Sequence, residues 1–197
     1  MNQIIGRKKE IKQLTEYYHS GKAEFVAVYG RRRIGKTYLV HNLFLDSFAF
    51  EMSGSIDAPL EAQLSNFGFA LREFGDSHQP IPSNWIEAFE ALKQLLKAKL
   101  SGNRLVVFID ELPCLDTRKS GFQQAFEHFW NGWASKQNEI MLIVCGSAIS
   151  WMITNLIDSH GGLHNRITHE MYLAPFTLGE TEEMLSANGF TWSRLSI

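Results

Sequence analysis

The run Gly30-Arg31-Arg32-Arg33-Ile34-Gly35-Lys36-Thr37 carries glycine, glycine-lysine and a hydroxyl at the spacing G-x-x-x-x-G-K-[ST]. The chemistry of that spacing is phosphate binding. Glycines at both ends let the backbone turn sharply and bring its N–H groups against phosphate oxygens, where a Cβ would intrude. Lys36 can reach the outer phosphates of a nucleotide, and the Thr37 hydroxyl can hold Mg²⁺. Because such a loop binds mostly through its main chain, at least two of the three arginines between the glycines read as solvated loop surface.

A second constellation completes this chemistry. Leu105-Val106-Val107-Phe108-Ile109 is an unbroken apolar run followed by Asp110 and Glu111. A strand shows such a run when helices cover both faces of its sheet, and it delivers the carboxylates to the C-terminal edge, where ligands bind in open α/β sheets. Asp110 is expected in the Mg²⁺ shell opposite Thr37, with Glu111 orienting and deprotonating an attacking water. Alone, an acidic pair after a strand is often a solvated turn. Joined to the glycine loop it points to hydrolysis, since transfer to a small molecule usually needs no water-activating glutamate there. A third polar end, Gly146-Ser147, closes the apolar run 140–145. Ser147 reads either as a hydrogen-bonding group for the water or the γ-phosphate, or as the N-cap of a helix over 148–157.

The elements that position these groups are legible on either side of them. Glu24-Phe25-Val26-Ala27-Val28-Tyr29 is a short apolar strand before the loop. Tyr38-Leu39-Val40-His41-Asn42-Leu43-Phe44 is a helix after it, whose N-terminus adds partial positive charge on the phosphate side. Upstream, residues 7–18 put Ile11, Leu14 and Tyr18 on one face of an amphipathic helix that Ser20-Gly21 stops. Residues 47–52 alternate as a second strand, and 58–74 place Leu60, Leu64, Phe67 and Leu71 at helical spacing. The polar stretch 75–82 carries Pro80 and Pro82 and is a loop. Asn84 caps the next helix with Glu87 in the third position, and Trp85, Phe89, Leu92 and Leu96 form its core stripe until Ser101-Gly102-Asn103 ends it. Phe122, Phe126, Phe129 and Trp133 recur at i, i+4, i+7 and i+11, a helix face laid on the sheet. Met171-Tyr172-Leu173 is a last strand broken by Pro175. Thr177 with Glu180 then makes a capping box for a helix through Met184 and Leu185, ending at Asn188-Gly189.

Composition narrows the class. With 197 residues and 45% apolar content the chain can fill one substantial core, so a single domain over 1–197 is expected. Nineteen basic against 21 acidic residues, a net charge of −2, argue against a strongly electrostatic nucleic-acid binder while leaving room for a local patch. Cys114 and Cys145 match no metal or redox spacing and read as buried free thiols in a reducing cytosol. His160, His164 and His169 fit no zinc pattern and read as surface residues. Arg7-Lys8-Lys9-Glu10 precedes any long apolar run, and no such run approaches about 20 residues. Neither signal peptide nor membrane span is therefore expected, and the cytoplasm is the expected compartment. No internal repeat or low-complexity segment is present.

Taken together, these residues make the chain resemble the prokaryotic and archaeal ATPase family within the AAA+/STAND division of P-loop NTPases. The resemblance covers nearly the whole chain. It rests on Ile5-Gly6-Arg7-Lys8-Lys9-Glu10, on the loop and the residues up to Val40, on 106–113, on 145–152, on Gly162-Leu163 with Arg166, and on Leu173-Ala174-Pro175-Phe176. It implies an α/β P-loop NTPase fold, AAA+-like, with a five-stranded parallel sheet in the order 5-1-4-3-2 and helices on both faces. It implies ATP as the nucleotide, with Ile4, Ile5, Gly6 and Arg7 against the adenine and the stretch from Gly30 through Tyr38 along the rest. By the same resemblance Ser147 senses the γ-phosphate, beside Lys36 and Glu111 as catalytic groups, and Arg166 stands where an arginine finger is carried into a neighbouring subunit. Two places depart from the family pattern: Cys114 stands where an aromatic often follows Leu-Pro, and His164-Asn165 where a tyrosine-glycine pair often precedes the late arginine.

Such ATPases usually continue into a helical lid, a winged helix and sometimes a nuclease-like region. The chain accordingly resembles the core ATPase domain of a longer protein, with those parts absent from 1–197. The expected activity is Mg²⁺-dependent hydrolysis of ATP to ADP and phosphate, coupled to movement of a partner domain or subunit. The alternative is a nucleotide-dependent switch or DNA-associated binding module with slow or no turnover; a phosphotransferase acting on a small molecule is a third reading. Expected partners are a second copy of the chain or the other domains, with DNA reached through the absent C-terminal regions, and no membrane.

Overall fold

Apolar runs separated by glycine stops and amphipathic helices build one parallel sheet covered on both faces. The computed structural model describes residues 4–75, 77–158, 163 and 165–190. Strands β1 (Glu24–Tyr29), β2 (Phe48–Ser53), β3 (Leu105–Asp110), β4 (Ile140–Gly146) and β5 (His169–Tyr172) lie in the order β2-β3-β4-β1-β5, every pairing parallel. This is the strand order that the family resemblance implies. The register sets Tyr29 beside both Gly146 and Tyr172, and Ser53 beside Asp110. The glycine loop, the acidic pair and Ser147 therefore leave the sheet along a single edge.

Helices α1 (Lys8–Tyr18) and α2 (Lys36–Phe44) cover one face, while α3 (Leu60–Phe74), α4 (Trp85–Lys99) and α5 (Phe122–Gly132) cover the other. Every residue of β3 and β4 is buried, as expected for strands sandwiched between helices. Alternation sends Phe25, Ala27, Val107, Ile109, Leu142 and Val144 toward α3, α4 and α5. Val26, Val28, Val106, Phe108, Met141 and Ile143 meet Leu14 of α1 and Leu39, Val40 and Phe44 of α2. In β2 the alternation breaks: its pairing with β3 shifts between Phe48 and Phe50, so Ala49 and Phe50 both enter the same core. Phe89 stands at the centre of that core, its ring 5.4–6.0 Å from the rings of Phe67, Trp85, Phe122, Phe126 and Phe129.

Several boundaries differ from the sequence reading for local reasons. Pro59 sits at the N-cap of α3 in an extended conformation, so that helix starts at Leu60 and not at 58. Helix α5 stops at Gly132, which leaves Trp133 half-buried beyond it, while Trp130 on the same helix is buried. The stretch 148–157 is not one regular helix: α6 (Ile149–Trp151) is a single turn that runs on as a π-helix over Met152–Ile157. Its N-cap is Ala148, so Ser147 is not a capping residue. Strand β5 is drawn back to His169 because the Thr168 N–H already pairs with the Phe25 carbonyl. His169 itself is half-buried, stacked 3.5 Å from the Tyr17 ring with Nε2 3.1 Å from Glu24 Oε2. The last helix, α7 (Leu178–Ala187), has the expected reciprocal box between Thr177 and Glu180.

Both cysteines are free, Cys145 buried and Cys114 only half-buried, and burial pushes both thiols up. Among the described residues no His/Cys/Asp/Glu group is arranged to hold a metal, and no helix is long and apolar enough to cross a membrane. His160, Gly162 and His164 lie outside the described residues.

Candidate functional site

The phosphate-type loop joins the end of β1 to the start of α2. Gly35 caps α2 at φ 88°, a backbone region that side chains rarely adopt, which explains glycine at that position. Arg33 is also held at positive φ, 64°. Lys36 is 5% exposed despite its charge, and its Nζ donates to the carbonyls of Gly30 at 3.1 Å and Arg31 at 3.0 Å. The amine is thus held against the loop it belongs to. Arg31, Arg32 and Arg33 are exposed.

The tip of β3 faces this loop. Thr37 Oγ1 donates to Asp110 Oδ2 at 2.7 Å. Asp110 is 7% exposed, and its other oxygen, Oδ1, is buried with no hydrogen-bond partner. Burial pushes this carboxyl up, against the opposing pull of the Thr37 hydroxyl and the Glu111 amide. An orphaned buried carboxylate oxygen beside a hydroxyl is a set of hard oxygen donors, the kind Mg²⁺ takes, so the residues present fit that ion.

Glu111 turns the chain out of β3 through a left-handed conformation, φ 44° and ψ 46°. Its Oε2 accepts from the Ser147 N–H at 3.2 Å and the Ser147 hydroxyl at 2.9 Å. Ser147 Oγ in turn accepts from Arg32 Nε at 3.3 Å. The end of β2 presses on the same turn: the Gly54 N–H donates to the Asp110 carbonyl at 2.8 Å, and a Cβ on Gly54 would stand 2.6 Å from the Glu111 carbonyl oxygen. Only glycine permits that approach. Gln63, fully buried on α3, ties the two turns together. It accepts from Ser55 N at 3.0 Å and donates to Ser55 O at 2.6 Å and Cys114 O at 3.0 Å.

Two recesses meet along the loop. An apolar cavity of about 420 Å³ is lined by Ile4, Ile5, Ile34, Tyr38, Phe176 and Met184 among others. An open cleft of about 520 Å³ runs past Arg32, Lys36, Thr37, Ile56 and Glu111, and the two share Arg33, Gly35 and Tyr38. Arg7 lines the apolar cavity but spends its guanidinium on protein. It donates to Ala174 O at 2.7 Å and Ile34 O at 3.1 Å and lies 4.4 Å from the centre of the Phe176 ring. Gly6 is buried next to it at φ 69°.

Lys36, Thr37, Asp110, Glu111 and Ser147 are therefore brought to one place, and Ile5, Arg7, Ile34 and Tyr38 to the adjoining cavity. Arg166 is not. It is exposed in the turn before Thr168, which pairs with Phe25 at the beginning of β1, so it lies toward the opposite edge of the sheet. Sequence reasoning overlooked Gln63, although a glutamine on the buried stripe of Leu60, Leu64 and Phe67 was a detectable signal. It also overlooked Gly54, which nothing local distinguishes from an ordinary loop glycine.

Comparison with known proteins bears on this geometry. The family model for an ATPase domain predominantly from Archaea matches residues 4–191. An uncharacterized protein of Methanocaldococcus jannaschii is 27% identical over 180 residues, covering 91% of this chain and 38% of that protein. The Walker-type ATPase of Pyrococcus abyssi shares the fold with a TM-score of 0.69 at 17% identity, over 96% of this chain and 60% of that one. The chain thus spans less than two thirds of the length of both, 38% and 60%. With the family model running across almost all of the fold and through the whole site, the chain belongs to the family of P-loop ATPase domains found predominantly in Archaea and is an ATP-hydrolysing domain.

Proposed function

We propose that this domain hydrolyses ATP to ADP and phosphate in a Mg²⁺-dependent reaction, as the core of a AAA+/STAND-type protein, with residues 1–197 forming a single unit. The observation that carries this reading is the 2.7 Å bond from Thr37 Oγ1 to Asp110 Oδ2, with the second Asp110 oxygen buried and orphaned next to them. The apolar cavity at one end of the loop and the charged cleft at the other match the polarity of a base and a triphosphate.

In this reading Ile4, Ile5 and Tyr38 hold the base, while Gly6 and Arg7 fix the segment that presents them. The main chain from Gly30 to Thr37 lies along the phosphates, and Lys36 neutralises the outer oxygens. Thr37 and Asp110 would hold Mg²⁺, which supplies charge neutralisation on the phosphate oxygens when bound. Glu111 takes a proton from water as the water oxygen bonds to the γ-phosphorus and the bond to the ADP oxygen breaks. Ser147 holds the Glu111 carboxylate in place through its amide and hydroxyl. Arg166, being remote from its own loop, acts on the site of a second copy. We place the protein in the cytoplasm, with closure of the site moving a partner domain or subunit and any DNA contact made by further domains. The engaged Glu111 carboxylate also favours a second reading, a slow nucleotide switch, in which that engagement persists with ATP bound.

The test is nucleotide affinity with and without Mg²⁺. Lys36→Ala removes charge-assisted bonds of about 1.5–3 kcal/mol, so ATP should bind about 10- to 150-fold more weakly. Asp110→Asn should keep metal-free binding and lose most of the gain that Mg²⁺ confers. An Asp110→Asn variant with the full Mg²⁺ gain contradicts the assignment.

A further inference from the structure

We propose that Arg32 supplies, from within the same chain, the cation that meets the charge developing on the transferred phosphoryl group. This rests on the hydrolytic reading above and adds a catalytic residue to it. Arg32 is exposed on the phosphate loop and lines the same cleft as Lys36, Thr37 and Glu111. Its Nε donates to Ser147 Oγ at 3.3 Å, and the Ser147 hydroxyl donates onward to Glu111 Oε2 at 2.9 Å. Donor and acceptor order therefore runs in one direction, from the guanidinium through the hydroxyl to the base.

The geometry also distinguishes Arg32 from Lys36, Arg7 and Arg166. The Lys36 amine rests on the inner side of the loop against the Gly30 and Arg31 carbonyls, and in the reading above it turns from there to the outer phosphate oxygens of bound ATP. Arg7 is committed to the Ala174 and Ile34 carbonyls. Arg166 lies toward the opposite edge of the sheet. Of these, Arg32 alone joins the phosphate loop to both Ser147 and Glu111. A planar guanidinium at that corner can keep one N–H on Ser147 and turn others to phosphoryl oxygens, as a lysine in its place cannot. Charge delivered where it develops in the transition state raises turnover more than it tightens the ground state.

The experiment compares wild type, Arg32→Ala, Arg32→Lys and Glu111→Gln for phosphate release, ATP affinity and affinity for ADP with aluminium fluoride and Mg²⁺. Arg32→Ala should lower kcat by about 10²-fold or more and weaken the aluminium fluoride complex in parallel, with ATP affinity within about threefold of wild type. Arg32→Lys should fall between. Mixing Arg32→Ala with Glu111→Gln should restore no activity, because each site needs both residues from one chain. Arg32→Ala at the wild-type kcat, or activity recovered in the mixture, overturns the inference while leaving the hydrolytic reading intact. Glu111→Gln at the wild-type rate, or a wild-type chain that releases no phosphate, overturns that reading and this inference with it.

Discussion

Replacing Gln63 by leucine tests how firmly the turns around Glu111 are held. The side chain is fully buried and makes three hydrogen bonds, all to the backbones of Ser55 and Cys114. Leucine has similar volume and leaves no cavity, so the loss comes from polar groups rather than from packing. Each bond contributes roughly 1 kcal/mol net, and a buried group left without a partner costs about 1–3 kcal/mol. Ser55 and Cys114 are only half-buried, so water can recover part of that cost, and a net loss of about 3 kcal/mol is expected. At about 2–4 °C per kcal/mol for a domain of this size, the melting temperature should fall by about 6–12 °C. Thermal unfolding followed by circular dichroism, with urea unfolding as a second probe, reads this directly. A loss below about 1 kcal/mol would refute the view that Gln63 clamps the two turns.

Other perturbations reach separate parts of the account. Phe89→Ala removes the ring at the centre of the α3–α4–α5 core, and urea unfolding should show a loss of about 3–5 kcal/mol; a loss under 1 kcal/mol would mean that the aromatic cluster is not the packed core. Glu180 is held below its ordinary value of 4.5, first by the Thr177 amide and then by the Arg7 amide, against a raising contribution from burial. A carboxyl lowered in the folded state stabilises above its unfolded value and loses that contribution as pH falls through the folded one. The fall in melting temperature from neutral pH to below 4.5 should therefore be shallower in Glu180→Gln than in wild type. Identical slopes would place Glu180 outside the acid response.

Much of the fold was legible because its strongest signals are local. The run 105–109 is of the kind a strand shows when helices cover both faces of its sheet, and β3 is buried throughout. The stripe of Trp85, Phe89, Leu92 and Leu96 needed only helical spacing, and all four are buried on α4. The candidate site was legible where chemistry follows the chain, at Lys36, Thr37, Asp110 and Glu111. It was not legible where partners arrive from distant segments. Ser147 could be read as a group for the water or γ-phosphate or as a helix cap, but neither reading showed that Glu111, 36 residues away in sequence, takes its hydroxyl. The three loop arginines could not be told apart, at least two reading as solvated surface, and only the strand order β3-β4-β1 brings Ser147 within reach of Arg32. Arg7 was read through the family resemblance as part of the segment against the adenine, and it lines the apolar cavity, but the sequence did not show that its guanidinium fastens that segment to the loop and to the chain after β5. No periodicity in one segment encodes a bond to another.

The most direct measurement is phosphate release from ATP with Mg²⁺ by wild type and Glu111→Gln, alongside ATP affinity for each. A glutamine keeps the shape of the turn and cannot take a proton, so turnover should fall by about 10²-fold or more while ATP stays bound. Equal rates for the two proteins would contradict the claim that Glu111 activates the attacking water.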